Sequence, residues 1–115
     1  MIQTPDIPPA ALLVLTNLPD EATARTLATR LIEQRLAACI NLLPPCRSMY
    51  RWQGTIEEAQ EVPMLIKTTA DRYPALEAAL RAAHPYELPE IIAVPISSGL
   101  PAYLSWIVAE TRPAS

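Results

Sequence analysis

The sequence lacks phenylalanine altogether and has only two glycines, two cysteines and one histidine among its 115 residues. Two glycines cannot build the glycine-rich loops that wrap nucleotide phosphates, so a phosphate-loop or dinucleotide-binding motif is excluded. One histidine per chain cannot make a closed zinc site, which normally needs four protein ligands. A strong metal site would therefore have to be shared between chains.

Positive charge is also scarce. Nine Lys and Arg residues stand against twelve Asp and Glu, which gives a formal net charge of −3. No basic surface is available to hold a phosphate backbone, so no nucleic acid partner is expected. Half of the residues are hydrophobic, which is enough for one compact core in a chain of this length and too little for two.

Long hydrophobic runs are missing as well. The longest run near the amino end, 10–15, has six residues, far short of the ~20 that cross a bilayer. Prolines at 5, 8 and 9 stand where a signal peptide would carry positive charge, so neither secretion nor membrane insertion is expected and the predicted location is the cytoplasm. Residues 1–9 are expected to form a flexible arm, and 10–112 a single domain.

The two cysteines are interpreted as reduced thiols. If Cys39 and Cys46 share one extended strand, their Cα atoms lie ~23 Å apart, beyond disulfide reach. Cys39 follows two alanines where a helix gives way to a strand, a pattern typical of a buried core cysteine.

Hydrophobic periodicity predicts the first elements. Residues 10–16 form a continuous apolar run, typical of a strand covered on both faces. Apolar positions then recur at helical spacing, which predicts an amphipathic helix from about 20 to 36. Asp20 is available to cap its first amides.

A long hairpin follows. A strand over 39–43 breaks at prolines 44–45 and resumes over 47–52, and the prolines indicate a bulge or an edge because they donate no ladder hydrogen bond. Gln53 and Gly54 are typical of a two-residue turn. The return strand is predicted over 55–69.

The rest of the chain predicts a helix, a strand and a last helix. The helix opens at Asp71 and stops at His84, before a proline. A strand over 91–96 contains Pro95, which favours a bend or an edge. The last helix begins near Pro101. This order predicts an α+β fold: a ferredoxin-like βαββαβ sandwich with a long hairpin between its second and third strands and a C-terminal helix.

The length of the hairpin predicts oligomerisation. Two arms of ~15 residues would reach ~50 Å, whereas a domain of this size has a radius of gyration of only ~13 Å. The overshooting arms would expose unpaired amides and apolar side chains such as Ile56, Val62 and Met64, and pairing between subunits removes that liability. The alternative is that prolines 44–45 fold the arm back and leave a monomer.

Five segments in order resemble the divalent-cation tolerance (CutA) family. They are LAACIN at 36–41, SMYRWQG at 48–54, KT at 67–68, HPYELPEI at 84–91 and YLSW at 103–106. The resemblance spans about residues 11–110. It implies a ferredoxin-like subunit, a homotrimer with intersubunit strands, a link to tolerance of copper and other divalent metals, and no enzymatic activity. A fold-level analogy to the trimeric PII signalling proteins, whose ligands lie in clefts between subunits, accompanies it.

Two residues are candidate metal ligands. His84 lies beside Tyr86, Glu87 and Glu90 in the sequence. It could bind copper or zinc if a carboxylate or a side chain of another subunit completed the coordination shell. The alternative is a helix-terminal histidine that is hydrogen-bonded to backbone carbonyls. Cys39 is the second candidate metal ligand. The alternative is that its side chain packs in the core. No cofactor is required, and copper or zinc are the ions considered.

The matched motifs also suggest a ligand cleft between subunits. Aromatic side chains join apolar area to a polar tip, and nearby charged residues could complete a pocket; the alternative is plain interface packing with a solvated ion pair. The predicted cleft residues are Tyr50, Trp52, Glu61, Lys67, Tyr86, Glu90 and Trp106.

Three functions remain open at this point. The first is a homotrimeric tolerance protein that binds divalent metal ions or a small ligand between its subunits. The second is a PII-like signalling or scaffold protein that acts through partner proteins. The third, an unrecognised hydrolase, would need His84 for turnover, yet nothing in the sequence marks a substrate.

Overall fold

The computed structural model describes residues 8–113 and contains five strands and three helices within them. In chain order the elements are β1 (Ala11–Leu18), α1 (Glu21–Glu33), β2 (Cys39–Leu42), β3 (Cys46–Trp52), β4 (Thr55–Thr69), α2 (Tyr73–Ala83), β5 (Ile92–Pro95) and α3 (Pro101–Glu110). None of these helices is both long and apolar enough to cross a membrane. Apart from Pro8 and Pro9, the arm predicted for residues 1–9 lies outside the described residues.

The sheet has the strand order β2-β4-β1-β5, with every pair antiparallel, and β3 continues the pairing along the outer half of β4. Helices α1 and α2 pack on one face, where they share one hydrophobic core with β1 and β4. The predicted α+β, ferredoxin-like arrangement is confirmed. Both strands that flank the proline pair lie at edges, as the missing amide donors require.

Helix α1 begins where the sequence indicates and ends earlier. The amide of Thr23 donates to Asp20 Oδ1 at 2.7 Å, and this bond holds the pKa of Asp20 below its usual value. The helix stops at Glu33, not near 36, because Arg35 turns into the left-handed region with φ 57°. The amide of Leu36 then donates back to the Leu31 carbonyl at 2.9 Å, which closes the helix without a glycine.

The hairpin is long but its inner half belongs to the core. Gln53 and Gly54 both have positive φ, 50° and 82°, which matches the two-residue turn that suits twisted strands. The described chain measures 62 × 26 × 24 Å with a radius of gyration of 16.0 Å, against ~13 Å for a compact chain of this size. We call the protruding pair, β3 with residues 55–61 of β4, the outer ribbon.

Two of the three side chains expected to be exposed on the hairpin are buried, so that expectation was wrong. Val62 and Met64 are 4% and 0% exposed because they pair with Leu18 and Thr16 of β1 and lie beneath the helices. Only Ile56, on the outer ribbon, is open at 66%. The overshoot therefore begins beyond Val62.

The two faces of the sheet differ sharply in cover. Alternate residues of β1 and β4 point to α1 and α2 and are buried, whereas their neighbours point the other way. The uncovered side, which we call the open face, carries Leu13, Leu15, Leu65, Ile92 and Val94, placed on one side by their cross-strand pairs. Ile92 and Val94 are about half exposed. An apolar sheet face of this kind is expected to be covered by another element.

Helix α3 covers one end of the open face. Ile107 is fully buried, and the Thr111 hydroxyl lies 3.5 Å from that of Thr69. The Arg112 guanidinium binds the Asp71 carboxylate with two contacts of 2.7 and 3.0 Å, and this guanidinium lowers the pKa of Asp71 to about 2. The fork of hydrogen bonds fixes the end of α3 against the end of β4.

The core contains one hydroxyl without a partner, and this leads to a stability prediction. Thr16 Oγ1 is buried and has no hydrogen-bond partner among the described residues, whereas the buried Thr68 hydroxyl donates to the Leu36 carbonyl at 2.7 Å. Thr16→Val should raise the free energy of unfolding by about 1 kcal/mol, because an unpaired buried hydroxyl is removed without change of shape.

The matched control is Thr68→Val, which strands the Leu36 carbonyl and should lower the free energy of unfolding by about 1–3 kcal/mol. Denaturant titration of both variants measures the difference. Equal losses in the two variants would show that Thr16 has a partner after all.

Candidate functional site

A cleft of about 890 Å³ lies between the outer ribbon and the loop that follows α2. One wall is β3, and the facing wall is formed by residues 85–90. Asn17 of β1 and Glu61 of β4 contribute from the sheet between the walls. The volume falls in the range of ~300–1,000 Å³ typical of small-molecule sites.

Five of the seven predicted cleft residues line this cleft: Tyr50, Trp52, Glu61, Tyr86 and Glu90. Tyr50 and Trp52 are two residues apart on β3, so strand alternation turns them to the same side. Glu61 lies at the inner end of the outer ribbon, paired with Cys46, and is only 8% exposed. Prolines 85 and 89 limit the conformations of the opposite wall.

His84 fixes that loop to the sheet. Its Nε2 lies 2.8 Å from the Asn17 carbonyl oxygen, and its Nδ1 accepts the Tyr86 amide at 3.2 Å. Because the carbonyl can only accept, Nε2 carries the proton and both ring nitrogens are engaged. Burial lowers the pKa of His84 below its usual 6.5, against the opposing effects of the Asn17 bond and the Glu61 charge, so the imidazole is neutral at pH 7.

These contacts correspond to the structural alternative for His84, a helix-terminal histidine bonded to backbone. A neutral imidazole binds a metal through an unprotonated nitrogen, and here that nitrogen, Nδ1, already holds the Tyr86 amide. Within residues 8–113 no group of three or more His, Cys, Asp or Glu side chains is placed to hold a metal ion. The donors of one described chain therefore do not fit a metal site.

Cys39, the other candidate ligand, lies away from His84. It pairs with Lys67 on β4, whereas Asn17, which His84 contacts, pairs with Pro63; four strand positions separate the two levels by ~13 Å. Cys39 is half-buried and free, and it is not one of the buried residues of the core. Its partner Lys67 pairs with Leu13 of the open face, so the thiol points to the side of the sheet away from α1 and α2.

Lys67 and Trp106, the remaining predicted cleft residues, belong to a second cluster around Cys39. The Lys67 ammonium donates to Asn41 Oδ1 and lies 3.8 Å from Cys39 Sγ. On α3 the rings of Tyr103 and Trp106 stack with their centroids 5.5 Å apart, and burial, with Cys39 nearby, raises the pKa of Tyr103. Six strand positions, or ~20 Å, separate Lys67 from Glu61 along β4.

The charge of the cleft is negative. Glu61, Glu87 and Glu90 line it, and Arg51 is the basic side chain among its described lining residues. Burial and the neighbouring Glu61 carboxylate raise the pKa of Tyr86 to about 12. Tyr86 therefore stays protonated beside Glu61.

Asn17 and Arg51 are cleft residues that sequence reasoning did not assign. Asn17 lies inside β1 because that strand runs two residues beyond the predicted end, and no pattern signalled its carbonyl as the partner of a histidine 67 residues away. Arg51 lay within a recognised motif, and its neighbours Tyr50 and Trp52 were the available signal.

The topology and the cleft define a class: a small ferredoxin-like protein with a protruding two-stranded ribbon and a lateral ligand-sized cleft. The family model described as "CutA1 divalent ion tolerance protein" matches residues 12–110. The chain belongs to this family.

Individual proteins of this family are similar to the chain in sequence and in structure. The divalent-cation tolerance protein CutA of Thermus thermophilus is 48% identical over 99 residues, which cover 86% of this chain and 96% of the relative. That of Citrobacter koseri is 44% identical over 104 residues, 90% of each chain. Among solved structures, CutA from Xylella fastidiosa superposes with a TM-score of 0.87 at 47% identity, over 90% of this chain and 99% of that one. CutA1 from Oryza sativa gives 0.89 at 34% identity, over 93% and 98%.

Proposed function

We propose that this protein acts in divalent-cation tolerance as a homotrimer whose clefts, completed between subunits, bind a small ligand or a divalent metal ion such as copper. The names of its relatives supply the tolerance role. The observation that carries the assembly is the open face, an apolar sheet surface that α3 covers at one end only.

The exposed apolar side chains support the assembly. Met49 and Ile56 on the outer ribbon are 71% and 66% exposed, and Leu88 beside the cleft is 72% exposed. Exposed apolar side chains that lie next to an uncovered apolar sheet face are typical of a protein interaction surface. Further copies of the chain would cover them and would pair the free edges of β3 and β5.

Neighbouring copies of the chain would also change the shape of the cleft. It lies between the outer ribbon and the loop after α2, so a subunit docked on the ribbon would deepen it and could add donors. A metal ion would need such donors, because one described chain does not supply them. We further propose a non-catalytic role in the cytoplasm, in keeping with relatives that are named for tolerance and not for a reaction.

A second candidate is a PII-like signalling or scaffold protein that acts through partner proteins. The observation that favours it is the exposed pair of Tyr103 and Trp106 on α3, each 41% exposed. Aromatic pairs of this kind are frequent anchors of protein interfaces. Isolation of the same bound protein by the wild type and not by Trp106→Ala would support this function.

The test of the main proposal combines mass and titration. Light scattering of the whole protein should give three times the chain mass of 12.6 kDa, and a single-chain mass would reject the trimer. Calorimetry with copper and with zinc tests the metal component: a Kd tighter than about 1 mM, roughly 4 kcal/mol, supports it. If both ions bind more weakly than this, the metal component is rejected and the small ligand remains as the proposed ligand.

A further inference from the structure

We propose that the ligand of the cleft is a small organic ammonium ion that carries an apolar group. This inference rests on the proposed function, since it names the chemical class that the same cleft accepts. Its basis is a buried carboxylate without a cation, set among aromatic rings.

Glu61 is the first observation. Its side chain lines the cleft while the residue is 8% exposed, and a buried carboxylate is costly unless a cation compensates it. The ion pairs within residues 8–113 join other residues, namely Glu21, Glu58, Asp71 and Glu110 to arginines. Tyr86, whose pKa the neighbouring Glu61 helps to raise, stays protonated and supplies no charge. Within the described residues this carboxylate has no ion-pair partner, and it lines the cleft, where a bound cation could meet it.

The walls give the second observation. Tyr50, Trp52 and Tyr86 line the same cleft as Glu61. The faces of aromatic rings attract a cation by about 0.5–2 kcal/mol, most strongly where water is excluded. Met49, Leu88 and two prolines add apolar surface. Carboxylates beside aromatic rings recognise an alkylammonium or arylalkylammonium ion, whose charge and hydrocarbon portion meet both kinds of wall.

Anions and bare metal ions fit the same walls less well. Three glutamates outweigh the single Arg51, and the neighbouring His84 adds no positive charge because burial keeps its imidazole neutral. Hard metal ions take six or more oxygen ligands, whereas the described residues include no group of three donors suited to a metal. An organic ammonium needs one carboxylate and the aromatic faces.

The probe for the test is benzylammonium chloride, titrated calorimetrically into the intact protein in its native oligomeric state. The matched compounds are benzyl alcohol, which has the ring without the charge, and phenylacetate, which has the opposite charge. Benzylammonium is expected to bind at least about tenfold more tightly than either, because it alone can form the charge-assisted contact. Equal binding of benzyl alcohol would overturn the inference.

The variants locate the contact. Glu61→Gln keeps the shape and removes the charge, so it should weaken benzylammonium binding at least about tenfold. The control, Glu57→Gln, changes an exposed glutamate of the same strand and should change the Kd less than about twofold. If Glu61→Gln fails to fold, Glu90→Gln on the exposed loop should still weaken binding about two- to threefold; an unchanged Kd there would contradict the inference.

The outcomes separate the ligand class from the proposed function. A trimer that fails to bind benzylammonium at about 10 mM would overturn the ammonium class alone and would indicate that a neighbouring subunit supplies the cation for Glu61. A single-chain mass would reject the assembly itself, whichever compounds bind.

Discussion

Ile92→Asp is expected to convert the assembled protein into single chains. Ile92 lies on the open face, half exposed in the single chain and paired with Leu15 of β1. A carboxylate there is solvated in the free chain but loses its water in an assembly that covers this face, at a cost of several kcal/mol for each subunit. The mass from light scattering should fall threefold, and the Tm should drop by about 10–20 °C because stabilisation by association is lost.

Ile32→Asp is the matched control for this experiment. The exposure of Ile32, 43%, is similar to the 50% of Ile92. Ile32 lies on α1, however, on the opposite side of the sheet. The same charge at this position should leave the mass unchanged. If Ile92→Asp kept the wild-type mass, a different surface would have to hold the subunits together.

His84→Ala should destabilise the protein by about 2–4 kcal/mol. The substitution removes two hydrogen bonds, to the Asn17 carbonyl and from the Tyr86 amide, and leaves a cavity beside the Tyr86 ring, whose centroid lies 4.8 Å from the imidazole. The loop that forms one wall of the cleft would lose its connection to the sheet. Arg81→Ala, an exposed change on the same helix, should alter the free energy of unfolding by less than about 0.5 kcal/mol.

The pH dependence of stability follows from the same residue. Burial lowers the pKa of His84 in the folded state, so below about pH 6.5 the unfolded chain binds the proton more readily than the folded one. The contribution of the neutral imidazole is complete above that pH and is lost as the pH falls toward the folded-state pKa. Thermal melts between pH 5 and 8 should show this slope in the wild type and not in His84→Ala.

The His84→Ala variant distinguishes the structural role of His84 from a role as a metal ligand. A residue that anchors the loop changes stability and its pH dependence. A metal ligand would leave stability in metal-free buffer nearly unchanged and abolish the binding of copper or zinc. The second pattern would reject the structural role.

Local sequence signals predicted most of the fold because each element is specified by residues within it. The bounds of β4 agree with the predicted 55–69, since the Gln53–Gly54 turn precedes the strand and the start of the next helical pattern follows it. Asp20 and the Gln53–Gly54 turn were readable for the same reason. The end of α1 was not, because Arg35 takes a conformation that sequence usually reserves for glycine.

The sequence predicted most of the residues that line the cleft. The errors concern distances between residues along a strand. Tyr50, Trp52, Glu61, Tyr86 and Glu90 meet because β3, the inner end of the outer ribbon and residues 85–90 lie at the same end of the sheet. Lys67 was placed with Glu61 although ~20 Å of extended strand separates them. Sequence patterns indicate which face a residue occupies, but they do not measure distance along a strand against a partner element.

The proline pair at 44–45 has a consequence for how the protein could be altered. The outer ribbon joins the sheet through β4 alone, since β2 and β3 are separate strands. Two residues inserted into each arm would lengthen the outer ribbon by about 7 Å and keep the side chains on their original sides, whereas a single inserted residue would turn those between the insertion and the tip to the opposite side. Such an insertion would change the reach of the outer ribbon without altering the core beneath the helices.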